Sequence, residues 1–321
     1  SQPITGSVTM WTVFQTVAPV FGLIAIGYLV GRTGFVSEAA ARGLPEFVFK
    51  VAMPLMLMRT VGAARLPDVP AASILLTFFG AAAVTWVVAA LLTRVVLGRG
   101  QADGSGIAMG STFSNSVMMG IPLVLSAFGP EAGAVVALVV AFDTPIFWTW
   151  ATLHLAAGEG NAGRSLAGLF GSLVARLATN PIIVGCVAGL LLQVTGATLP
   201  PLIDKMVTLI AQAAVPGALC ALGLSLVSPE LKGQAATVAV ITLLKLLVMP
   251  AAAWAIGHAL GLPPLPAAVL VVLAAMPVGA NAFLFASSYN RAEASVSGAI
   301  ALSTPLSMIT VSAVLLLLSG R

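Results

Sequence analysis

Long apolar segments alternate with short polar connections along the whole chain. Each apolar segment has about 20 residues, which is the length that an α-helix needs to cross the hydrocarbon core of a bilayer. The connections are rich in Gly, Pro and charged residues. The pattern predicts ten transmembrane helices, near residues 11–30, 40–60, 71–97, 105–128, 132–156, 172–194, 200–226, 235–260, 265–288 and 294–318.

Composition favours the same class of protein. Of the 321 residues, 59% are hydrophobic and only 7% are charged, whereas a soluble domain carries about 25% charged residues. The first apolar stretch is too long for the core of a signal peptide and has no basic residue before it, so we expect a permanent span. We therefore predict an all-α integral membrane protein in contact with the lipid bilayer.

Basic residues indicate the orientation of the chain. The net charge is +4, but the basic residues are scattered along the connections and form no patch, which argues against nucleic acid as a partner. Short cytoplasmic loops retain Lys and Arg. An outside N-terminus places eight of them at the inner boundary, namely Arg32, Arg42, Arg94, Arg99, Arg164, Arg176, Lys232 and Arg291. It leaves four outside, namely Arg59, Arg65, Lys205 and Arg321. The prediction is N-out and C-out in the cell membrane, as in a bacterial inner membrane.

An internal repeat divides the chain into two halves of five spans. Three pairs of matching features carry it, with shifts of 162, 162 and 160 residues: Thr33-Gly34 with Thr195-Gly196, Pro54 with Pro216, and Thr144-Pro145 with Thr304-Pro305. Because five is odd, the second copy enters the membrane with opposite polarity, which predicts inverted repeats. The predicted repeats are residues 1–156 and 172–321, joined by a short cytosolic linker at 157–171.

The fourth and ninth spans each combine Asn, Gly and Pro in mid-span, within residues 114–123 and 274–283. Proline and glycine both favour unwinding of a helix, and unwound backbone in a membrane is tolerated where it lines a wet cavity. The helix N-termini that follow would then offer N–H groups to an anion, and a carboxylate is the natural guest. The predicted substrate-binding residues are Asn115, Ser116, Gly120, Pro122, Pro277, Gly279 and Asn281.

This interpretation has an alternative, because Pro and Gly are common in membrane helices and asparagines can join neighbouring helices. Two ionisable residues at depth are candidates for coupling or charge compensation. Asp143 is a candidate proton carrier or one member of a structural ion pair. Lys245 is a candidate partner for an anionic substrate or for Asp143, or a side chain that snorkels to the interface. Protons and sodium both stay open as coupling ions.

Other residue types point away from catalysis. No phosphate-binding loop or pair of nucleophile and base is present in the connections, so no enzyme or pump is predicted. Cys186 and Cys220 are interpreted as packing residues, and His154 and His258 as interfacial residues without a metal. We therefore expect neither a cofactor nor a metal.

The fourth-span sequence from Ser114 to Leu123 resembles the Asn…Gly-Ile-Pro-Leu motif of the auxin efflux carrier family. The resemblance covers nearly the whole chain, including Asn180-Pro181 and Lys245…Pro250. The ninth-span stretch 274–283 is most similar to the family's bacterial malonate-carrier branch. The plant members have a long cytosolic loop between their halves, whereas Ala157 to Ser165 is short, which disfavours auxin transport and kinase regulation.

The resemblance implies a fold like that of bile-acid symporters, with broken helices four and nine crossing at the substrate site. It also implies a scaffold of spans 1, 2, 6 and 7 beside a moving transport domain of spans 3–5 and 8–10. Asn115 matches the family asparagine that contacts the substrate carboxylate. The expected function is elevator-type secondary transport of a small carboxylate, malonate or a related dicarboxylate. Auxin-like efflux of a monocarboxylate and a membrane sensor that binds an anion without moving it are the alternatives, and a homodimer stays open.

Overall fold

The computed structural model describes residues 10–63, 69–158, 181–225 and 234–319, and within these ranges the chain is almost entirely helical. The helices of the first half are α1 (Met10–Arg32), α2 (Glu38–Phe47), α3 (Met53–Ala63), α4 (Ala71–Val95), α5 (Gln101–Thr112), α6 (Ile121–Phe128) and α7 (Gly133–Gly158). Those of the second half are α8 (Pro181–Thr195), α9 (Pro201–Gln212), α10 (Ala214–Ser225), α11 (Ala235–Leu243), α12 (Met249–Ala259), α13 (Pro264–Ala274), α14 (Ala280–Tyr289) and α15 (Glu293–Ser319).

Five helical stretches in the described ranges are long and apolar enough to cross a membrane, namely Ala71–Val95, Pro130–Gly158, Pro201–Leu224, Ala235–Ala259 and Glu293–Leu318. Four shorter apolar helices accompany them, namely Ala18–Arg32, Ser116–Phe128, Val184–Thr195 and Pro264–Ala274. Together with the composition, these helices make the chain an all-α, multi-pass membrane protein. Residues 172–180 of the predicted sixth span and 159–171 of the predicted linker lie outside the described residues, and α7 continues through residue 158.

Widened turns accommodate three of the prolines. π-helical turns span Val48–Ala52, Ser116–Gly120 and Leu244–Val248, and each ends two residues before a proline, namely Pro54, Pro122 and Pro250. Proline lacks an N–H and its ring clashes with the carbonyl four residues earlier, so a wider turn removes the clash without ending the helix. The predicted second span is therefore one continuous helical stretch from α2 through α3.

Glycines allow very close helix packing in one part of the molecule. α1 packs along α10, and α3 packs along α8. A Cβ added to Gly223 of α10 would lie 2.0 Å from the carbonyl oxygen of Ile24 in α1, and one added to Gly185 of α8 would lie 2.4 Å from that of Pro54 in α3. Helices in membranes associate through such small residues, because van der Waals contact replaces the hydrophobic effect there. The helices α1, α3, α8 and α10 therefore form one tightly packed group.

The helices α4 to α7 and α11 to α15 form a second group around the two interrupted spans. α4 packs against α5 and α12, α5 against α7, and α11 against α15. Its core contains fully buried aromatic rings, among them Phe78, Phe147 and Phe285. Phe147 of α7 also packs at 5.3 Å between ring centroids against Phe113, the residue that follows α5. The two interrupted spans meet next to this core.

Candidate functional site

The two interrupted spans meet through their unwound backbones. α5 ends at Thr112 and the next helical turn begins at Ser116, while α13 ends at Ala274 and α14 begins at Ala280. Ser114 and Val278 form an isolated antiparallel β-bridge. The N–H of Asn115 donates to the carbonyl of Pro277 at 2.9 Å, and the N–H of Gly279 donates to the carbonyl of Phe113 at 2.9 Å. Each break therefore satisfies backbone groups of the other, which removes part of the cost of unwinding in an apolar environment.

Two residues explain why the ninth span unwinds here. Pro277 has no N–H to continue the helix. Gly279 lies so close to the other span that an added Cβ would be 2.7 Å from a ring carbon of Phe113 and 2.8 Å from the carbonyl oxygen of Ser114. Any larger residue at position 279 would push the two breaks apart.

The break in the fourth span holds polar groups that have no partner within the described part of the protein. Ser114 Oγ, Asn115 Nδ2 and Ser116 Oγ are buried, and none has a hydrogen-bond partner among the described residues. Asn115 is 5% exposed, and its side chain does not cap the turn that follows it. The first N–H groups of a helix also lack intrahelical partners. Buried polar atoms are normally satisfied, so this cluster of donors fits a polar ligand.

The break in the ninth span is held by the two long helices α7 and α15. The N–H of Val278 donates to Ser303 Oγ of α15 at 3.1 Å. Asn281 Nδ2 donates to Thr144 Oγ1 of α7 at 3.1 Å. The ninth break is thus anchored by side chains, whereas the side chains of the fourth break remain available to a ligand.

Asp143 and Lys245 are both buried, but they do not form a pair. Asp143 is 3% exposed, and Oδ1 accepts hydrogen bonds from the backbone N–H and the hydroxyl of Thr144, the latter at 3.0 Å. Lys245 is fully buried, and Nζ donates to the carbonyl oxygen of Ala274 at 2.5 Å and to the sulfur of Met249 at 3.2 Å. No salt bridge involves either residue within the described ranges.

The ammonium group of Lys245 therefore lies at the C-terminus of α13, whose last residue, Ala274, is three residues before Pro277. A cation there is stabilised by the negative end of the helix dipole, and it is close to the ninth break. Lys245 does not pair with Asp143 in this structure, because its Nζ donates to the carbonyl oxygen of Ala274 at the end of α13 instead. Its role in coupling or charge compensation stays a prediction.

The other predicted site residues divide into two sets. Asn115 lies in the fourth break, Ser116 begins the turn after it, Pro277 and Gly279 lie in the ninth break, and Asn281 is the second residue of α14. Gly120 and Pro122 lie beyond the fourth break, in the π-turn and in α6. These two residues are helical and not unwound, because the wider π-turn before Pro122 removes the clash of its ring with the preceding turn.

Three residues at the crossing escaped the sequence reasoning, namely Phe113, Thr144 and Ser303. Thr144 belongs to the Thr-Pro pair that marks the repeat, and that recurrence was the available signal. Nothing comparable marks Phe113, since its role depends on a ring contact with another helix.

The histidines lie apart from this site. His154 Nδ1 accepts a hydrogen bond from the Trp86 indole at 3.2 Å, and the His258 ring stacks on Trp254. No group of three His, Cys, Asp or Glu residues that could hold a metal occurs in the described ranges.

Comparisons with known proteins show the family of this chain. The profile of the family described as "Membrane transport protein" matches residues 12–315. A Rhizobium meliloti (strain 1021) protein named "Putative malonate transporter" is 28% identical over 306 residues, which are 94% of either chain. "Auxin efflux carrier component 8" of Arabidopsis thaliana is 24% identical over 336 residues, 88% of this chain and 90% of its own. "Lysosomal cholesterol signaling protein" of Mus musculus is 25% identical over 256 residues, 76% of this chain but 30% of its own. The resemblance to the auxin efflux carrier family is thereby confirmed.

Proposed function

Because the chain belongs to the membrane transport protein family, we propose that it is a secondary active transporter of a small organic carboxylate, malonate or a related dicarboxylate. The observation that carries this proposal is the crossing of two unwound segments beside buried polar groups without partners among the described residues. The relative named for malonate, which this chain matches over 94% of both lengths, supports the choice of substrate class.

The proposed architecture has ten spans in two inverted repeats of five. The crossing supports it, because an antiparallel bridge joins the break in the fourth span of the first proposed repeat to the break in the fourth span of the second. A two-fold axis in the membrane plane would pass through this bridge and relate the two halves. The proposed repeats are residues 1–156 and 172–321.

The proposed substrate site combines donors and one cation. The Asn115 amide can donate to a carboxylate oxygen, and so can the hydroxyls of Ser114 and Ser116. Lys245 is fully buried and has no acidic partner in the described residues, so the charge of its protonated form would be balanced by the negative end of α13 and by an anion. A dicarboxylate would engage both kinds of group.

Packing supports an elevator mechanism with two rigid groups. α1 to α3 and α8 to α10 would form the scaffold, and α4 to α7 with α11 to α15 would form the transport domain that carries the crossing. A cavity of about 730 Å³ lies on the boundary, where α1 faces α11 and α15. Its lining is mainly apolar and includes Phe21, Ile24, Val238 and Met308. An apolar lining favours sliding of one group along the other, because contacts between apolar side chains are not directional.

Orientation and coupling are parts of the same proposal. The proposed protein lies N-out and C-out in the cell membrane, the bacterial inner membrane, since Arg99 and Arg291 then belong to the cytoplasmic side. Both residues lie within 4.0 Å of Asp103 at the start of α5. Protons or sodium ions would supply the driving force.

Uptake of radiolabelled malonate into proteoliposomes tests the proposal. Wild-type protein should accumulate malonate when an ion gradient is imposed, and Asn115→Ala should reduce uptake at least about tenfold, because one charge-assisted hydrogen bond contributes about 1.5–3 kcal/mol. Ser312→Ala serves as the matched polar control, since the Ser312 hydroxyl donates to the carbonyl of Met308 within its own helix, away from the crossing. Wild-type uptake by Asn115→Ala would overturn the site assignment.

Two other functions have specific support. The match to the auxin efflux carrier favours a monocarboxylate substrate, and competition by unlabelled mono- and dicarboxylates against malonate decides between the two. The match to the signaling protein favours a sensor that binds without transport. Exchange of labelled for unlabelled substrate across the liposome membrane excludes a sensor, because a pure binder gives no exchange.

A further inference from the structure

The ninth break is joined to the buried Asp143 by a chain of two hydrogen bonds. Asn281 Nδ2 donates to Thr144 Oγ1 at 3.1 Å, and Thr144 Oγ1 donates to Asp143 Oδ1 at 3.0 Å. Asn281 lies two residues beyond Gly279, which bonds to Phe113 at the crossing. The chain therefore leads from a carboxyl group inside α7 to the proposed substrate site.

The Thr144 hydroxyl has one proton and can donate it in only one direction. When Asp143 is ionised, it only accepts, so Thr144 donates to it and in turn accepts from the Asn281 amide nitrogen. This is the observed arrangement, and it leaves the Asn281 carbonyl oxygen as the part that is not engaged by Thr144. An oxygen atom repels a carboxylate.

When Asp143 is protonated, its O–H can donate to Thr144 Oγ1. The Thr144 proton is then free to donate toward Asn281, and the amide satisfies it by rotating to present its oxygen to Thr144. The rotation turns the Asn281 NH2 group away from Thr144, where it can donate to a carboxylate. No bond other than these hydrogen bonds changes, and the proton stays on Asp143.

We propose that Thr144 is a relay that makes Asn281 an acceptor or a donor at the substrate site according to whether Asp143 holds a proton. The inference rests on the proposed function, since it describes how a proton promotes binding of the anion. Proton binding and anion binding then favour each other, which is the linkage that a proton–anion symporter needs. Thr144 is a positioning residue, because it acts through Asn281.

Among the described residues, no other ionisable side chain forms a hydrogen bond or an ion pair with Asp143. The elements packed against α7 are α3, α4, α5, α6, α8, α13, α14 and the turns at Ser116–Gly120 and Pro130–Ala132. Their ionisable side chains, with the one other such residue on α7 itself, are Arg59, Arg94, Asp103, Glu131, His154, Cys186 and Tyr289. Arg59 pairs with Asp204, Asp103 lies beside Arg99 and Arg291, and Arg94 and Glu131 are exposed. Among the described residues, only Thr144 bonds to the Asp143 carboxylate.

The first test measures malonate affinity against pH on purified protein in lipid nanodiscs, by calorimetry. Wild-type affinity should rise about tenfold to a hundredfold as the pH falls through the titration of Asp143, because that is the effect of one charge-assisted hydrogen bond. Thr144→Val keeps the branched shape but removes the hydroxyl, and it should lose this rise, whereas Thr144→Ser should keep it. The titration of malonate itself is common to all variants, so the difference between variants isolates the relay.

Thr304→Val is the matched control. Thr304 occupies the corresponding place in α15, and its hydroxyl bonds to the carbonyl of Ile300 in the preceding turn. This variant should retain the wild-type dependence on pH. Thr144→Ala provides a second variant without a hydroxyl if Thr144→Val does not give folded protein.

The second test does not depend on the substrate. Infrared difference spectra of the protein alone, low pH minus high pH, should show a carboxylic acid C=O band that is absent in Asp143→Asn. Thr144→Val should shift this band, because the protonated Asp143 loses its hydrogen-bond partner. An unshifted band, or an unchanged dependence of affinity on pH in Thr144→Val, would overturn the relay. Failure of the wild type to bind malonate at any pH would instead count against the proposed substrate, and the infrared test would still decide the relay.

Discussion

The backbone nitrogen of Asn115 lies 2.9 Å from the carbonyl oxygen of Pro277, although the two residues belong to opposite halves of the chain. This hydrogen bond uses the backbone of Asn115 and leaves its side-chain amide without a partner among the described residues. The backbone thus fixes the position of the break, while the side chain is available to a ligand. Changes that separate the two breaks should therefore disturb both stability and binding.

Gly279→Ala should separate them. The added Cβ would meet Phe113 at 2.7 Å and the Ser114 carbonyl oxygen at 2.8 Å. We expect a loss of about 1–3 kcal/mol, typical of overpacking, together with loss of malonate binding. A lower melting temperature in detergent would report the change. Gly22→Ala is the control, because a Cβ at Gly22 would have no heavy atom within 4 Å and should not lower the melting temperature.

Lys245→Met should show whether Lys245 serves substrate binding through its charge or stability through its packing. Met has a similar length and leaves no buried amine that needs hydrogen-bond partners, so the melting temperature should change little. The affinity for malonate should fall at least about thirtyfold, since loss of a buried charged partner costs about 2–5 kcal/mol. Lys50→Met is the control, because Lys50 pairs with the exposed Glu46 four residues earlier. A melting temperature that falls with unchanged affinity would make Lys245 a structural residue.

The sequence predicted what depends on local chemistry. Asn115, Pro277 and Asn281 stand out because Asn, Gly and Pro recur in mid-span in both halves, and all three lie at or next to the crossing. The same pattern also selects Gly120 and Pro122, whose backbone is helical because a π-turn before the proline relieves the clash that would otherwise break the helix. Their place in the substrate site stays a prediction.

Tertiary contacts set the rest of the site. Phe113 lies in the break and packs on Phe147, and no local pattern distinguishes it from any other membrane phenylalanine. The link from Asn281 to Thr144 joins residues 137 apart. The partner of Lys245 is a backbone carbonyl, which every residue possesses, so its identity could not be predicted from residue types.

The ion pair between Arg59 of α3 and Asp204 of α9 should contribute little to stability. Both side chains are partly exposed, at 36% and 46%, and exposed pairs contribute about 0.2–1 kcal/mol. Arg59→Gln and Asp204→Asn should each lower the melting temperature slightly, and the double variant should lower it by less than the sum of the two. Additive effects in this double-mutant cycle would show that the pair is not coupled.

Cross-linking should test the sliding of one helix group along the other. Ala25 of α1 and Leu302 of α15 line the same cavity on the proposed boundary. In a background with Cys186→Ala and Cys220→Ala, the pair Ala25→Cys and Leu302→Cys should, once bridged by dibromobimane, lose uptake but keep malonate binding, because the site itself lies at the crossing. The pair Arg59→Cys and Asp204→Cys joins two helices of the proposed scaffold, so its bridged form should still transport. Full uptake by the bridged α1–α15 pair would rule out movement at this boundary and would require the substrate to cross by a different motion.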